Sequence, residues 1–369
     1  MPAKPAGKSC SDIPPESAMK RVLVTGAGGY IGTKLVPALL KRGYAVRAVD
    51  RYFFGADLLP DHDGLQKVRE DTRRLPPAHF EGVDAVIDLV AVSNEACGQL
   101  FRDATWQINC ESRVRTARLA KEAGVSLYLL PSSCSVYGVQ DRNSICGEDA
   151  AVKPLTAYAQ ANRSAEERAL ALADDRFVVV VLRQATVFGY SPRIRFELGI
   201  NHMVCRAWET GRIPVVRDGT QWRPFIHIDD MVDAQLFMLE QADRAVINRQ
   251  IYNVGSNELN YSVESLAHLI AEHLPRAVEF EWVGDADNRS YRVDCGKVER
   301  LGWKARRTVP EAQRELWELL ESGRVQHTPQ SETLKWYSQL DHWHRIIRQV
   351  EMYGGILNIG HGPDGAPIF

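Results

Sequence analysis

Short runs of β-branched residues alternate with longer amphipathic stretches between about residue 20 and residue 190. This alternation is typical of a parallel sheet whose strands are joined by crossover helices. The predicted strands are Arg21–Thr25, Ala45–Asp50, Leu65–Val68, Ala85–Val90, Leu127–Pro131 and Phe177–Leu182. The clearest predicted helices are Tyr30–Arg42, Phe101–Ala123 and Leu155–Ala173. We therefore expect an α/β protein built on a doubly wound parallel sheet.

Beyond residue 190 the pattern breaks into shorter pieces separated by glycine and proline. Helical periodicity returns at Met231–Leu239, Val263–His273 and Pro310–Ser322, and the last forty residues place Trp336, Tyr337, Trp343 and Tyr353 on a helix-like stretch that ends at Gly354–Gly355. The predicted organisation is a loose, proline-containing tail at 1–19, a sheet domain at 20–190, a smaller α/β substrate-binding portion at 191–325 and a helical extension at 326–369. Some segments of 191–325 are expected to return to the sheet domain.

Charge and cysteine content narrow the class of partner. Lys+Arg is 45 and Asp+Glu is 47, and no block of like charge marks a surface for nucleic acid or an anionic membrane. The seven cysteines form no C-x-x-C pair, and no apolar run is long enough to cross a bilayer. These features predict a soluble, cytoplasmic protein with free thiols, no metal site, no membrane segment and a small-molecule substrate.

A glycine-rich turn follows the first predicted strand directly. Gly26, Gly29 and Gly32 stand at three-residue spacing where a strand gives way to a helix, which allows a tight turn, close approach of a pyrophosphate and close helix–sheet packing. Asp50 ends the second strand 24 residues after Gly26 and is placed to bond an adenosine ribose. Its carboxylate favours NAD and makes NADP less suitable, although the neighbouring Arg51 weakens that preference. The sequence therefore predicts a Rossmann-type NAD site.

Several further motifs occur in a characteristic order. They are Ser132-Ser133-Cys-Ser-Val-Tyr137-Gly138, Tyr158 25 residues after Ser133, Arg183 with Val187-Phe188-Gly189, Arg223-Pro-Phe-Ile-His227-Ile-Asp229-Asp230, Tyr252-Asn-Val-Gly255, and Arg289 with Tyr291, Asp294, Lys297 and Trp303. With the glycine turn, this set resembles the extended short-chain dehydrogenase/reductase family, which contains nucleotide-sugar epimerases, dehydratases, decarboxylases and ketoreductases. The resemblance covers residues 20 to 320.

The resemblance implies an acid/base role for Tyr158 and a hydrogen bond from Ser133 to the same substrate oxygen. A free tyrosine loses its proton only near pH ~10, so the family stabilises the phenolate with a lysine four residues later. Asn162 stands at that position; it can bond the nicotinamide ribose but supplies no charge. Tyr158 could instead be a packing residue on a dimerising helix, and Ser133 a loop serine that satisfies backbone groups. His227 is expected to be structural.

Other positions refine the expected substrate and reaction. Arg223 and Arg289 match positions that approach a substrate diphosphate, and Arg193 is a weaker candidate in the same cleft. Each could equally be an ion-pair residue. The 4,6-dehydratases of the family carry an Asp-Glu pair after the catalytic Thr/Ser, whereas this chain has Cys134 and Ser135, so epimerase or ketoreductase chemistry fits better than dehydration.

The predicted cofactor-binding residues are Gly26, Gly29, Tyr30, Ile31, Asp50, Arg51, Asp71, Ala91, Tyr158 and Asn162. The resemblance also implies a homodimer built from the helices at 101–123 and 155–173. The leading hypothesis is an NAD(P)-dependent nucleotide-sugar epimerase or ketoreductase. The alternatives are a catalytically weak NAD-binding sensor or scaffold, and a reductase of a natural-product ketone.

Overall fold

The computed structural model describes residues 20–352 except 142, 143, 242, 286 and 288, together with two short strands at 360–361 and 367–368. The predicted tail at 1–19, and Tyr353 with the two glycines after it, lie outside the described residues. The strands are β1 Arg21–Thr25, β2 Ala45–Asp50, β3 Leu65–Arg69, β4 Ala85–Asp88, β5 Leu127–Ser133, β6 Ile145–Cys146, β7 Val178–Gln184, β8 Thr186–Phe188, β9 Arg212–Val216, β10 Trp222–His227, β11 Gln250–Val254, β12 Asn260–Ser262, β13 Glu279–Val283, β14 Arg292–Val293, β15 Gly360–His361 and β16 Pro367–Ile368.

The helices pack on both sides of these strands. They are α1 Gly32–Lys41, α2 Glu95–Leu100, α3 Arg102–Trp106, α4 Arg113–Glu122, α5 Ala157–Leu170, α6 Gly199–Thr210, α7 Ile228–Glu240, α8 Arg244–Ile247, α9 Val263–Glu272, α10 Gly296–Arg300, α11 Val309–Glu321 and α12 Thr333–Met352. A π-helical segment, Gln107–Ser112, joins α3 to α4. The predicted helices are present within a few residues of their expected bounds, except that the single helix predicted at 101–123 is divided into α3, the π-helical segment and α4.

The main sheet has seven parallel strands in the order β3-β2-β1-β4-β5-β7-β11. All six predicted strands lie in it, and the prediction of a doubly wound parallel sheet is confirmed. Along β1, Val22 and Val24 pack into one hydrophobic core while Leu23 packs into a second core on the opposite face. This alternation is what a strand covered by helices on both sides requires.

β8 and the residues beyond 190 build a smaller second layer around one end of this sheet. β11 returns to the main sheet beside β7, whereas β8, β10 and β12 form a separate three-stranded sheet and β9 pairs with β13. The hydrophobic core on one face of the main sheet continues without a break into α6, α9 and α11. The second portion is therefore anchored on the same core that supports β1.

α12 crosses back from this second portion to the loop after β2. The indole Nε1 of Trp336 donates to the carbonyl of Phe53 at 2.8 Å, and the ring of Tyr337 lies 5.8 Å from that of Phe54. The described cysteines are free and buried. No helix within the described ranges is both long and apolar enough to cross a membrane.

Candidate functional site

One cavity of about 880 Å³ runs along the carboxyl ends of the main-sheet strands. Parallel α/β sheets bind ligands at this edge because the crossovers leave a crevice there. Every residue predicted for the site lines the cavity, from the glycine turn through Ser133, Tyr158 and Asn162 to Arg193, Arg223 and Arg289. The structure thus brings the predicted residues together around a single space.

The glycine turn forms one end of the cavity and shows why side chains are absent there. Gly26 has φ +65°, and a Cβ on it would lie 2.8 Å from the backbone of Leu89. A Cβ on Gly32 would lie 2.5 Å from the carbonyl oxygens of Gly26 and Ala27. The turn therefore presses backbone against backbone and presents the N-terminus of α1 to the cavity, which suits a pyrophosphate.

Asp50 ends β2 beside this turn. Its carboxylate accepts hydrogen bonds from the backbone N–H of Gly28 at 3.1 Å and of Tyr52 at 2.6 Å. Burial raises the pKa of Asp50, and these backbone donors counteract the rise. Because each carboxylate oxygen retains a further acceptor site, Asp50 can still bond a ribose diol. The glycine turn and Asp50 together fit the adenosine half of a dinucleotide.

Asp71 and Arg51 lie at the same end but are already engaged. The Asp71 carboxylate accepts from Arg73 at 2.6 Å and pairs with Arg51 at 3.4 Å, and the hydrogen bond from Arg73 lowers the pKa of Asp71. The Arg51 guanidinium also lies 4.4 Å from the centre of the Phe53 ring. A cofactor contact at Asp71 would therefore share that carboxylate with two arginines.

Ser133 and Tyr158 both line the cavity. Ser133 is the last residue of β5, and its Oγ accepts from the backbone N–H of Ser135 at 3.2 Å. Tyr158 lies in the first turn of α5, which Thr156 caps. A Cβ on Gly98 would lie 2.9 Å from Cβ of Tyr158, so the close packing of α2 against the tyrosine requires glycine. No motif in the sequence marks Gly98.

A buried polar network supports Ser133 from behind. Ser132 donates to Glu166 at 2.6 Å, and Glu166 forms a fully buried ion pair with Arg183 at 2.9 Å. Cys134 points into this network, where its Sγ contacts the carbonyl of Arg183 at 3.2 Å and burial raises its pKa well above the usual range. Cys134 is therefore turned away from the cavity and is a packing residue.

Asn162 lies one helical turn after Tyr158 and is almost fully buried. Its Oδ1 accepts from the guanidinium of Arg113 at 3.1 Å, while its Nδ2 has no hydrogen-bond partner among the described residues. Arg113 is itself 1% exposed and also lines the cavity. Sequence reasoning missed Arg113, because a helix-borne arginine in a charged stretch gives no sign that it points inward.

Two further arginines line the same cavity. Arg223 pairs with Asp287 at 2.7 Å, and Arg289 pairs with the same carboxylate at 2.6 Å and with Glu95. The Arg223 guanidinium also lies 5.5 Å from the centre of the buried Tyr291 ring. Both arginines thus line the cavity and also form ion pairs. The two alternatives considered for them, a ligand-binding residue and an ion-pair residue, are therefore compatible.

Arg193 lies closer to α12 than to this arginine pair. Its guanidinium donates to Thr333 at 2.7 Å and stacks 3.8 Å above the Phe54 ring. Burial lowers its pKa to about 10. Tyr337 of α12 lines the same part of the cavity, where burial raises its pKa to about 12 and the charge of Arg193 counteracts the rise. The wall contributed by α12 was not foreseen, since amphipathicity does not say where a helix docks.

His227 makes the contacts expected of a structural residue. It caps α7 by accepting from the backbone N–H of Asp229 through Nδ1 at 3.2 Å, and its ring packs edge-on against Phe188. Burial lowers its pKa to about 4. A neutral, buried histidine that ends a strand and starts a helix needs no catalytic role to explain it.

Comparison with solved structures supports the fold. The chain is 29% identical to MoeE5 in complex with UDP-glucuronic acid and NAD, with a TM-score of 0.72 over 82% of this chain and 99% of that one. It matches a UDP-N-acetylglucosamine 4-epimerase from Methanobrevibacter ruminantium M1 at 21% identity with a TM-score of 0.74, which bears on the fold alone. Both confirm a Rossmann-type α/β fold.

Comparison with characterised sequences points the same way. The chain is 26% identical to UDP-glucose 4-epimerase 2 of Arabidopsis thaliana over 81% of this chain and 94% of that protein. It is 24% identical to UDP-glucuronic acid decarboxylase 1 of Xenopus tropicalis over 78% of this chain and 69% of that protein. A model of the NAD dependent epimerase/dehydratase family matches residues 22–255, which is more than half of the chain. The chain therefore belongs to the NAD-dependent epimerase/dehydratase family, and the expected family and its NAD cofactor are confirmed.

Proposed function

We propose that this protein acts on a nucleotide-activated sugar as an epimerase or ketoreductase, with hydride exchange at a sugar carbon. One observation carries the proposal. A single cavity is lined by a dinucleotide turn, by Ser133 and Tyr158 and by the two arginines Arg223 and Arg289. A substrate with a diphosphate at one end and a hydroxylated ring at the other matches that set of groups. The UDP-sugar relatives support the same substrate class.

We assign proton transfer to Tyr158. Ser133 is assigned the orientation of the reacting oxygen. The glycine turn and Asp50 would hold NAD, which would supply hydride exchange with the sugar carbon. Tyr158 takes the proton from the sugar hydroxyl during oxidation and gives it back to the carbonyl oxygen during reduction. Ser133 Oγ donates to the same oxygen, and its fixed backbone contact with Ser135 holds it in place.

Arg223 and Arg289 are assigned to the substrate diphosphate. The carboxylate of Asp287 now holds both guanidinium groups in one place. A diphosphate also accepts bidentate hydrogen bonds from the planar guanidinium groups and carries more charge, so it can replace or share that carboxylate. Asp287 thus keeps the two cations oriented before substrate arrives.

Loss of water of the 4,6-dehydratase type is not proposed. That reaction needs a second acid and base beside the catalytic Thr/Ser, and this chain offers Cys134 and Ser135 there. The structure supports the distinction, since Cys134 faces the buried side of the sheet and is 1% exposed. Epimerisation and ketoreduction require only the groups that line the cavity.

We also propose a homodimer. α3, the π-helical segment and α4 pack beside α5 in each chain, and Trp106 on α3 is 43% exposed. An exposed tryptophan on a helix pair of this kind is suited to an interface. A cytoplasmic location and the lack of nucleic-acid partners stay predictions from the sequence.

The experiment is turnover of a panel of UDP-, GDP- and dTDP-sugars with NAD or NADH, followed by NMR of the sugar ring protons. We expect an epimer or a reduced sugar with at least one substrate. Tyr158→Phe should lower turnover by at least ~10²-fold, the usual effect of a lost acid/base. Tyr44→Phe, outside the cavity at the start of β2, is the matched control and should leave turnover unchanged.

Two results would contradict the proposal. If no sugar in the panel changes and bound NAD stays oxidised, the sensor or scaffold hypothesis takes precedence. If Tyr158→Phe turns over as fast as the wild type, the tyrosine is not the proton carrier.

A further inference from the structure

The first residue of α4 places a positive charge inside the catalytic part of the cavity. The guanidinium of Arg113 donates to the carbonyl oxygens of Asp88 and Pro131, at the carboxyl ends of β4 and β5, and to Oδ1 of Asn162. Within the described part of the chain its Nε has no hydrogen-bond partner. A buried guanidinium held mostly by neutral carbonyls is costly, so its retention needs a reason.

The π-helical segment before α4 explains how Arg113 reaches this position. A π turn takes in one extra residue, which rotates the side chains that follow by about 100° relative to an uninterrupted α-helix. Gln107–Ser112 form this segment and Arg113 comes directly after it. Without the extra residue, Arg113 would lie on another face of the helix.

The two polar atoms of Asn162 have different surroundings. Oδ1 accepts from Arg113, whereas Nδ2 is buried at the cavity wall without a partner among the described residues. A lysine at this position would supply one charge and one donor from a single group. Here the charge and the donor belong to two residues that touch each other.

The nearest acidic group does not form an ion pair with Arg113. Asp88 accepts hydrogen bonds from the hydroxyls of Thr25 and Tyr128, and the Tyr128 hydroxyl also contacts the backbone carbonyl of Arg113. Burial raises the pKa of Asp88, and the charge of Arg113 counteracts that rise. Asp88 and Arg113 thus influence each other through space without forming a direct ion pair.

Two other acidic groups beside α4 are paired with partners of their own. On α5, Glu166 is bonded to Arg183 at 2.9 Å. In the turn after β3, Asp71 is bonded to Arg73 at 2.6 Å. Neither pair neutralises Arg113, which is left as the cation nearest Asn162.

We propose that Arg113 and Asn162 together replace the lysine of the family, with Arg113 as the source of fixed positive charge near Tyr158 and Asn162 Nδ2 as the donor to the nicotinamide ribose. Arg113 is a positioning residue, because it acts on the reaction through Asn162 and through its field. The inference rests on the proposed function, since it concerns the proton held by Tyr158. It makes the pair 113 and 162, rather than 162 alone, the determinant of the pH range of the enzyme.

The test is the pH dependence of sugar oxidation by wild type and three variants. Arg113→Met keeps the length of the side chain without its charge, and we expect the rate at neutral pH to fall at least about tenfold and the limb that rises toward alkaline pH to move up by at least about one unit. Arg113→Met combined with Asn162→Lys introduces an ammonium group. This double variant should recover most of the rate at neutral pH and reverse most of the shift of the alkaline limb. Arg314→Met, on the exposed face of α11 and outside the helices proposed for the dimer interface, is the matched control and should keep the wild-type profile.

The outcomes distinguish a failure of this inference from a failure of the proposed function. A folded Arg113→Met protein with the wild-type profile overturns the inference, as does a double variant that recovers nothing. If Tyr158→Phe is inactive in the same assay while Arg113→Met is unaltered, the proposed function stands and only this inference fails. A fully active Tyr158→Phe removes the proposed function itself.

A second comparison covers the case in which Arg113→Met does not fold. Asn162→Lys alone sets two cations in contact and should lower thermal stability, whereas Arg113→Thr with Asn162→Lys relieves that repulsion and should recover it. Equal stability of these two variants, with equal pH profiles, would overturn the proposed pairing of 113 and 162.

Discussion

His227 joins β10 to α7 and illustrates how the burial of a single residue changes the stability of the folded protein in acid. A histidine in an unfolded chain titrates near pH ~6.5, whereas the folded chain holds the pKa of His227 at about 4. Between these two values the unfolded chain binds a proton that the folded chain does not bind. The free energy of unfolding must therefore fall as the pH drops through this window. The contribution of the neutral His227 to that free energy is complete only above the window.

We predict that His227→Asn flattens this acid dependence by on the order of 2–3 kcal/mol between neutral pH and pH ~4. Asparagine keeps a side-chain acceptor for the N-terminus of α7 but cannot be protonated, so only the titrating part is removed. Chemical denaturation across the pH range measures the slope. His62→Asn, at an exposed loop histidine, should keep the wild-type slope, and an unchanged slope in His227→Asn would refute the assignment.

At the same scale, the sequence located the residues of the cavity but not their contacts. Gly26 and Asp50 were found because phosphate and ribose binding demand those residue types at fixed spacing. The pairing of Asn162 with Arg113 was not found, because it depends on how α4 and α5 pack and on a π turn that amphipathic periodicity does not reveal. The expected helix at 101–123 correspondingly appears as α3, a π segment and α4.

Among the elements, α12 has the clearest testable role. It is attached to the cavity wall by the Trp336 hydrogen bond, by Tyr337 packing on Phe53 and Phe54, and by Arg193 at its first turn. Since the loop carrying Phe53 and Phe54 begins just after Asp50, the helix borders the adenosine end of the site. Its placement depends on aromatic packing with a loop some 280 residues earlier in the chain.

We predict that Tyr337→Ala accelerates NAD dissociation about tenfold, equivalent to roughly 1.4 kcal/mol of lost packing. Stopped-flow displacement of NAD from the loaded protein measures this rate. Gln339→Ala, on the exposed side of the same helix, is the matched control. If both variants release NAD at the wild-type rate, α12 does not restrict the cofactor.

At the scale of the whole molecule, the prediction concerns the association of two copies of the chain into a homodimer. The helices proposed for the interface lie next to each other in one chain, with Glu111 and Arg168 bonded at 2.5 Å between them. The sequence showed that both helices are long and amphipathic, but an interface depends on a second copy, and no pattern within one chain specifies its surface.

We predict sedimentation of the wild type at twice the 41.4 kDa chain mass at micromolar concentration. Trp106→Asp, which sets a charge in the proposed interface, should shift the protein to the single-chain mass. Trp282→Asp, at an exposed tryptophan on β13, should not. A wild type that sediments only near the mass of one chain would exclude the dimer.

The helix that borders the adenosine end also bears on which reaction suits this protein. A net reduction consumes one NADH per product, so the spent nucleotide must leave and a fresh one must enter in every cycle. An epimerisation returns its electrons to the sugar, and one nucleotide can then serve many cycles without exchange. Slow release of the nucleotide past α12 would limit the rate of net reduction and would not affect the rate of epimerisation. The number of products formed per bound nucleotide, counted with no free NAD in solution, therefore separates epimerisation from ketoreduction.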